Sequence, residues 1–469
     1  MADRISELSL VQRAAQELSG GQLVALGPGL PTQIPGVLPR QGAIWFLADS
    51  GALGYVTQGT DEAPASSVDS DGRPVALGPG GTVLSLVDAA GMARSGRVDV
   101  AVIQTAQVNS RGDFTHWTTA ATPGQFIPAT AVDLAAGPKK VIAVMPHTSP
   151  EGKPNLVADL EFPVDGVGSV STIITDVAVL NVTHRGLMLM EMAPDWRMDD
   201  VQAISGVPLM PPPDMGEMTF SITPARSPSK VFQNGVDALF DLKDGATVLI
   251  DGFAGPGGMP HYMLVSLREQ GSKELTMISN TAGIARIVNF GTPPGMTAID
   301  HSILIENKQI RKVIASYPVS PRASKPSAFE LAYRRGEVEL ELVPQGTLAE
   351  RLRAGGAGVA AFYTPTGVGT RIAQGKETRT INGKEYLLEQ GLQADFCIIR
   401  GHKADTLGNV VYKGTSRNFN AVMAPAARVT IVEVDEVVEA GTLNPEEIVT
   451  PGVYISRIVV RPKEFSPYE

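Results

Sequence analysis

Two stretches of this chain share one pattern: residues 18–27 read LSGGQLVALG, and residues 242–252 read LKDGATVLIDG. In each, a glycine turn leads into an apolar run and then into another glycine. An apolar run of this length between turns is typical of a strand that is buried on both faces. Apolar residues at helical spacing also predict a short helix before each strand: Val11, Ala14, Ala15 and Leu18 before the first, and Val236, Leu239 and Phe240 before the second.

A second pair of matching segments lies further along the chain. Residues 96–103 read GRVDVAVI and residues 391–398 read GLQADFCI, and Gly112 and Gly408 follow them at matching distances. Because both pairs recur in the same order, we predict two related halves, with extra sequence inserted in the second. Apolar runs at residues 140–145 and 429–434 predict further buried parallel strands. The predicted fold class is therefore α/β, with two related three-layer halves and mainly parallel sheets.

A proline-rich junction separates the two halves. It begins with Pro211, Pro212 and Pro213 and continues to residues 227–229, which read SPS. This composition is typical of an extended linker. We therefore predict a first domain over residues 1–210, a linker over residues 211–229 and a second domain over residues 230–469.

Composition limits the partners of this protein. A net charge of −10 argues against nucleic acid or an anionic membrane as the main partner, whereas an anionic small molecule needs only a local pocket. The N-terminus lacks an apolar signal core and no apolar run reaches membrane length, which predicts a cytoplasmic protein. The lone cysteine, Cys397, lies in an apolar run and is predicted to fill the core. The six histidines show no ligand spacing, so we predict no metal site.

One carboxylate stands at a position suited to catalysis. Residues 46–54 read FLADSGALG, so Asp49 lies where an apolar strand breaks into a glycine turn. A carboxylate at the end of a strand can be presented as a nucleophile or as a general base. The alternative is that Asp49 only caps the turn.

A second candidate region follows the other repeated strand. Residues 251–260 read DGFAGPGGMP, and such a loop either directs backbone N–H groups at an anion or is simply a tight turn. His261 comes next and is interpreted as an acid or base, or as a surface histidine at a helix start. Asp251 is a candidate second carboxylate of the site, with helix capping or an ion pair as the alternative.

Longer motifs make the chain resemble a known family. Residues 343–358 read VPQGTLAERLRAGGAG and residues 361–367 read AFYTPTG, which resemble the α subunit of family I 3-oxoacid CoA-transferases. Residues 28–31 (PGLP), residues 51–54 (GALG) and Trp117 resemble the β subunit. The resemblance implies a single-chain fusion in β-then-α order, with the active site between two halves that meet face to face.

The resemblance places Asp49 where the family carries its catalytic Glu. That Glu attacks an acyl-CoA and then holds CoA as a thioester. Aspartate has the same carboxylate but reaches roughly 1.5 Å less far, unless a shifted backbone compensates. Besides Asp49, we predict catalytic roles for Asp251, His261 and His116, and substrate or CoA contacts for Ser50, Gly51, Gly257, Gly258, Gln345, Gly355, Gly356 and Gly358. Packing is the alternative role for His116, and tight turns are the alternative for the glycines.

Two enzymatic functions fit these residues. The first is a CoA-transferase that acts on a 3-oxo acid or related carboxylic acid and an acyl-CoA, without a tightly bound cofactor. The second is a hydrolase of the same fold, in which Asp49 activates water to cleave a thioester or a C–C bond of a β-dicarbonyl such as a β-diketone. The overall match favours the first. The departures from the family pattern favour the second, because they cluster at the Asp49 turn and in the loop 251–260. A non-catalytic sensor would turn over neither substrate. Apolar faces on two similar halves predict a homo-oligomer.

Overall fold

Both repeated segments form buried strands, Leu23–Leu26 and Thr247–Ile250, which lie inside their sheets. The computed structural model describes residues 2–38, 44–57, 66–116, 131–221, 228–253, 258–285, 287–288, 292–322 and 324–468. The chain divides into two compact units, Met1–Pro228 and Ser229–Glu469. Each unit contains one of the repeated segments.

The first unit is built on a large mixed sheet whose parallel centre is flanked by antiparallel strands. In spatial order its strands are Leu209–Met210, Gly186–Met192, Ala178–Thr183, Thr172–Thr175, Lys140–Met145, Val100–Gln104, Leu23–Leu26, Trp45–Leu47, Ala52–Thr57, Pro74–Val83 and Ser67–Val68, with Gly216–Glu217 paired to Gly186–Met192. A small sheet contains Leu156–Val157, Gln107–Asn109 and Phe114–Thr115. The helices are Glu7–Ala15, Ile34–Val37, Leu86–Arg94, Ala131–Ala136 and Met198–Ala203, with a 3₁₀ turn at Leu30–Gln33.

The second unit is built on a sheet whose described strands all run parallel. Their order is Val231–Phe232, Arg457–Val460, Ala427–Val434, Ala394–Arg400, Thr247–Ile250, Leu275–Thr281, Ile310–Tyr317 and Glu339–Leu342. Its helices are His261–Gln270, Ser302–Glu306, Ala328–Arg334, Gln345–Gly356 and Asn418–Met423. Two small sheets contain Ala361–Thr364, Lys384–Gln390 and Thr378–Ile381, and Val410–Val411, Lys403–Asp405 and Glu436–Val438. Short 3₁₀ turns lie at Asp237–Leu239, Arg371–Ala373, Gly414–Arg417, Ala424–Ala426, Pro445–Glu447 and Gly452–Tyr454.

The two sheets share the same register at their centres. Val24 pairs with Val100 in the first unit, and Val248 pairs with Phe396 at the corresponding place in the second. In both sheets, the strand that follows the central strand along the chain pairs with one side of it. A later strand pairs with the other side of the central strand. Ligands of open α/β sheets bind beyond the carboxyl ends of strands at such a switch point. The predicted fold class, two related α/β halves with mainly parallel sheets, is confirmed.

One predicted helix is wrong in extent. Around Val236 the chain forms only a 3₁₀ turn, Asp237–Leu239. Leu239 is buried as predicted, but Phe240 is 69% exposed. The guanidinium of Arg457 lies 4.4 Å from the centroid of the Phe240 ring, so this ring is held by a cation–π contact rather than by burial in a helix interface. The first predicted helix is present at Glu7–Ala15.

Cys397 is buried within the strand Ala394–Arg400, as predicted for a core residue. In the portions of the chain that the structure describes, no helix has both the length and the apolar character needed to cross a membrane. Within the same portions, no three His, Cys, Asp or Glu side chains are grouped so that they could hold a metal ion.

Replacing Gly355 with alanine should destabilise the second unit. A Cβ at this position would lie 1.9 Å from the carbonyl oxygen of Leu392. Leu392 itself is held by its N–H, which donates to the Arg351 carbonyl at 2.7 Å. We therefore expect a loss of roughly 1–3 kcal/mol in the free energy of unfolding, measured by hydrogen exchange of peptides from the second unit.

Gly346→Ala is the matched control, because Gly346 lies in the same helix and nothing is within 4 Å of its added Cβ. This variant should be neutral or stabilised by less than about 1 kcal/mol. Equal stability of the two variants would contradict close packing at Gly355.

Candidate active site

Asp49 lies in a tight turn after the strand Trp45–Leu47. The Gly51 N–H donates to the Ala48 carbonyl at 3.1 Å and closes the turn. Gly51 has φ +98°, and a Cβ there would lie 2.2 Å from the Leu84 carbonyl oxygen, so glycine is required. Gly51 was predicted to contact substrate or CoA. The turn geometry shows that it also has a structural role, because no other residue fits there.

Two serines hold this turn against its neighbours. The hydroxyl of Ser70 accepts the Asp49 N–H at 3.3 Å and donates to the Leu26 carbonyl at 2.8 Å, which links the ends of the two central strands. The hydroxyl of Ser50 donates to the Val68 carbonyl at 2.6 Å. Ser50 thus uses its hydroxyl proton within the protein, while the Asp49 side chain stays half-buried.

A cavity of about 310 Å³ opens beside Asp49. Its floor is formed by the carboxyl ends of the strands Leu23–Leu26 and Trp45–Leu47, the edge where a switch point places ligands. Its described lining consists of Ala25, Leu26, Leu47, Ala48, Asp49, Leu86, Ala89, Ala90, Ala93, Val132, Asp133 and Leu134. These walls are not predictable from the sequence, because small apolar residues carry no chemical signal of their own.

Tyr55 is a buried neighbour of this carboxylate. Its hydroxyl makes no hydrogen bond among the described residues. Burial, together with the charges of Asp69, Asp49 and Asp71, raises the pKa of Tyr55. The phenol therefore stays protonated and adds no further negative charge beside Asp49.

His116 is not among the described residues that line the cavity. Its Nδ1 lies 2.7 Å from Asp165 Oδ2, and its backbone N–H donates to the same oxygen at 2.9 Å. These contacts fix the imidazole orientation. Trp117 lies outside the described residues.

In the second unit, Asp251 directly follows the strand Thr247–Ile250 and is fully buried. Its Oδ1 accepts the Phe253 N–H at 2.9 Å, and its Oδ2 makes no hydrogen bond within the described residues. Burial raises the pKa of Asp251 to about 8, against the opposing effect of the Phe253 and Gly252 amides. At neutral pH the group is therefore mostly a neutral acid, which can donate a hydrogen bond.

His301, which sequence analysis did not single out, packs against the residue after Asp251. A Cβ on Gly252 would lie 2.3 Å from His301 Cε1, so glycine is required there. The imidazole is fully buried, with Nε2 3.3 Å from Ser279 Oγ, and burial lowers the pKa of His301. A single histidine without a motif gives no signal in a sequence, and only the fold brings it to this strand end.

His261 begins the helix His261–Gln270, as predicted, but it is buried rather than at the surface. Its Nδ1 lies 3.5 Å from Arg461 Nη2. Burial, with the nearby positive charges of Arg461 and Arg400, lowers the pKa of His261 to about 3. The imidazole is thus neutral at physiological pH.

A buried carboxylate stabilises this helix start. Glu433 is fully buried, and its oxygens accept from Arg461 Nε at 2.5 Å and from the Met263 N–H at 3.0 Å. The helix has no acidic residue in its first turn, so Glu433 supplies the negative charge that its N-terminus favours. Asn420 extends the network by donating to the Gly258 carbonyl at 3.0 Å.

Other residues predicted to contact substrate or CoA lie at the start and near the end of the helix Gln345–Gly356. Gln345 is half-buried, and its Oε1 accepts from Asn280 Nδ2 at 2.9 Å. Gly355 and Gly356 pack closely against the backbone of Leu392 and the ring of Pro425, and Gly358 has φ +70° after the helix. Gly257 lies outside the described residues. The resemblance also predicts that Asp49 faces the loops 251–260 and 345–358. Because Asp49 and these loops belong to different units, this stays a prediction.

Comparisons with known proteins agree with the resemblance seen in the sequence. A family model described as Coenzyme A transferase matches residues 8–203 and 234–461. One subunit of the succinyl-CoA:3-ketoacid coenzyme A transferase from Helicobacter pylori is 47% identical over 230 residues, which cover 49% of this chain and 91% of that protein. One subunit of the 3-oxoadipate CoA-transferase from Pseudomonas putida is 44% identical over 231 residues, covering 49% and 93%.

Solved structures also match about half of the chain. An acyl-CoA transferase from Escherichia coli O157:H7, in a thioester complex with CoA, is 21% identical and covers 51% of this chain and 48% of its own, with a TM-score of 0.42. A variant of the decarboxylase AibA/AibB is 19% identical and covers 50% and 84%, with a TM-score of 0.40.

Asp251→Asn should make the stability of the second unit less dependent on pH. The pKa of Asp251 is raised from 3.8 to about 8, so the folded unit keeps a proton that the unfolded chain releases. The free energy of unfolding of the native protein therefore falls as pH rises between these values. Asparagine keeps the acceptor for the Phe253 N–H but cannot ionise.

We expect the stability difference, variant minus native, to grow by up to about 1.4 kcal/mol per pH unit in that window and to level off above it. All three tryptophans, Trp45, Trp117 and Trp196, belong to the first unit, so hydrogen exchange of second-unit peptides is the suitable measurement. A difference that does not change with pH would show that Asp251 is not a buried titrating acid.

Proposed function

Because the chain belongs to the Coenzyme A transferase family, we propose that it transfers CoA between an acyl-CoA and a carboxylic acid of the 3-oxo acid type, with Asp49 as the nucleophile. The family match extends over both repeated halves. The substrate class is proposed from the relatives, which are named as succinyl-CoA:3-ketoacid and 3-oxoadipate CoA-transferase subunits.

The observation that supports Asp49 is its setting. Its carboxylate is half-buried at the edge of a 310 Å³ cavity, at the carboxyl end of a central strand. Asp251, the other candidate carboxylate, is buried and mostly neutral at pH 7 because its pKa is raised to about 8. An accessible carboxylate suits attack on a carbonyl, whereas a buried neutral acid does not.

The proposed reaction uses Asp49 in two half-reactions. An Asp49 oxygen attacks the acyl carbon of the thioester, and the thiolate of CoA leaves, which gives a mixed anhydride. The thiolate then attacks Asp49 Cγ, the first acid leaves as its carboxylate, and CoA remains as an aspartyl thioester. The acceptor carboxylate attacks this thioester and releases the thiolate, which finally attacks the acyl carbon of the new anhydride and frees Asp49. No step requires a bound cofactor.

The shorter reach of aspartate supports a second candidate function. An Asp49 carboxylate that stops roughly 1.5 Å short of an acyl carbon leaves room for a water molecule between them. As a general base it would direct that water at a thioester or at a carbonyl of a β-dicarbonyl, and the bond beside that carbonyl would be cleaved. The half-buried position of Asp49 suits this role as well.

Covalent trapping tests the proposed transfer. The protein is incubated with acetoacetyl-CoA, treated with borohydride or hydroxylamine, and mapped by peptide mass. We expect the modification on Asp49, its loss in Asp49→Asn, and its retention in Asp159→Asn, whose carboxylate side chain is 90% exposed in the same unit. Absence of any adduct, with ¹⁸O from water in the product, would support hydrolysis instead.

Asp49→Glu tests whether reach limits the rate. The added methylene restores roughly 1.5 Å, and a misplacement of about 1 Å can cost ~10²-fold in rate. If Asp49 is a nucleophile limited by reach, CoA transfer should rise in this variant, as measured by exchange of CoA between labelled acids. Loss of the native activity without gain of transfer would point to water activation.

A further inference from the structure

The walls of the cavity beside Asp49 are apolar, and this restricts what can enter it. Apart from Asp49 and Asp133, the described lining residues are alanine, leucine and valine. We propose that this cavity receives the uncharged hydrocarbon end of an acyl group, so that the enzyme selects monocarboxylic over dicarboxylic substrates. The inference rests on the proposed function, because it takes Asp49 as the group that attacks the acyl carbon.

Charge in and around the cavity disfavours a second carboxylate on the substrate. No lysine, arginine or histidine is among the described residues that line it. Arg94 lies close by, but its Nη1 is already 3.8 Å from Asp133 Oδ1. A dicarboxylic acyl group would place a further carboxylate beside those of Asp49 and Asp133. It would lose hydration against apolar side chains and would meet no cationic side chain among the described lining residues, which is unfavourable on both counts.

Small side chains create the space. Ala93 lies four residues after Ala89 and three after Ala90, so one face of the helix Leu86–Arg94 presents methyl groups to the cavity. Ala25, in the strand Leu23–Leu26, forms part of the floor. Because each of these residues ends at Cβ, the volume that longer side chains would fill is left for a ligand.

Hydrogen bonds hold the alanine-lined helix beside the turn that carries Asp49. The Leu84 N–H donates to the Gly51 carbonyl at 2.8 Å, which connects the Asp49 turn to the start of the alanine-lined helix. That start is capped by Ser85, whose hydroxyl accepts the Asp88 N–H at 3.2 Å. A volume of about 310 Å³ lies at the lower end of the range for small-ligand sites, which suits a short or medium acyl chain.

A matched set of thioesters tests the inference. The values of kcat/KM for transfer are measured with butyryl-CoA, succinyl-CoA, hexanoyl-CoA and adipoyl-CoA, two pairs of equal chain length. We expect each monocarboxylic substrate to exceed its dicarboxylic partner at least tenfold, and hexanoyl-CoA to exceed butyryl-CoA by about fourfold per methylene that enters the cavity. Succinyl-CoA used as well as butyryl-CoA would overturn the inference while leaving CoA transfer intact.

Filling the cavity provides the second test. Ala90 is half-buried, so leucine can be accommodated there while its side chain occupies the cavity. Ala90→Leu should remove the preference for hexanoyl-CoA over butyryl-CoA, and tryptophan fluorescence checks that the first unit is folded. Val87→Leu is the control, because Val87 lies on the same helix, is 66% exposed and is not among the described lining residues. An unchanged chain-length preference in folded Ala90→Leu would overturn the inference.

Failure of the proposed function has a different signature. In that case no thioester reacts and no adduct forms on Asp49, and the cavity is then tested alone by calorimetric binding of hexanoate and adipate. Hexanoate should bind the native protein more tightly than adipate does, and this advantage should disappear in Ala90→Leu. Equal binding of the two acids would overturn the inference.

Discussion

The Gly51 turn is the constraint on which the first-unit site depends. Its positive φ and the contact with the Leu84 carbonyl admit no side chain, and the Gly51 carbonyl in turn holds the Leu84 N–H. Because the Ser70 hydroxyl ties the Asp49 N–H to the neighbouring strand end, the main chain that carries the carboxylate is held by hydrogen bonds on both sides. The nucleophile turn, the strand edge and the alanine-lined helix therefore form one rigid arrangement.

Two carboxylates at strand ends differ because their surroundings differ. Asp49 is half-buried beside a cavity, whereas Asp251 is enclosed, with one oxygen unpartnered among the described residues and its pKa raised to about 8. Desolvation dominates at Asp251, since only backbone N–H groups oppose it. Unequal environments of this kind separate acids from bases in active sites. In the proposed reaction, Asp49 supplies the charge and Asp251 retains a proton.

The sequence predicted the framework more completely than the site. The repeated glycine-bounded buried strands and the family were correct, because buried strands and turns leave periodic patterns. The helix around Val236 was wrong, since a cation–π contact holds Phe240 instead of an interface. His301 and the alanine walls were not found, because their meaning depends on which distant residues the fold brings beside them. The predicted roles of His116, His261 and the Gln345–Gly358 region stay predictions.

The shorter side chain at position 49 and the apolar cavity are related. A backbone shift that moved Asp49 forward would have to break the Ser70 bond or strain Gly51, so the rigid turn opposes that way of restoring reach. The remaining adjustable element is the substrate. An acyl chain buried in the cavity gains roughly 0.8 kcal/mol per methylene, and this energy can draw the acyl carbon toward the carboxylate. In the proposed mechanism, hydrocarbon burial thus supplies part of the positioning that the longer glutamate side chain, which the family resemblance implies at this position, would provide.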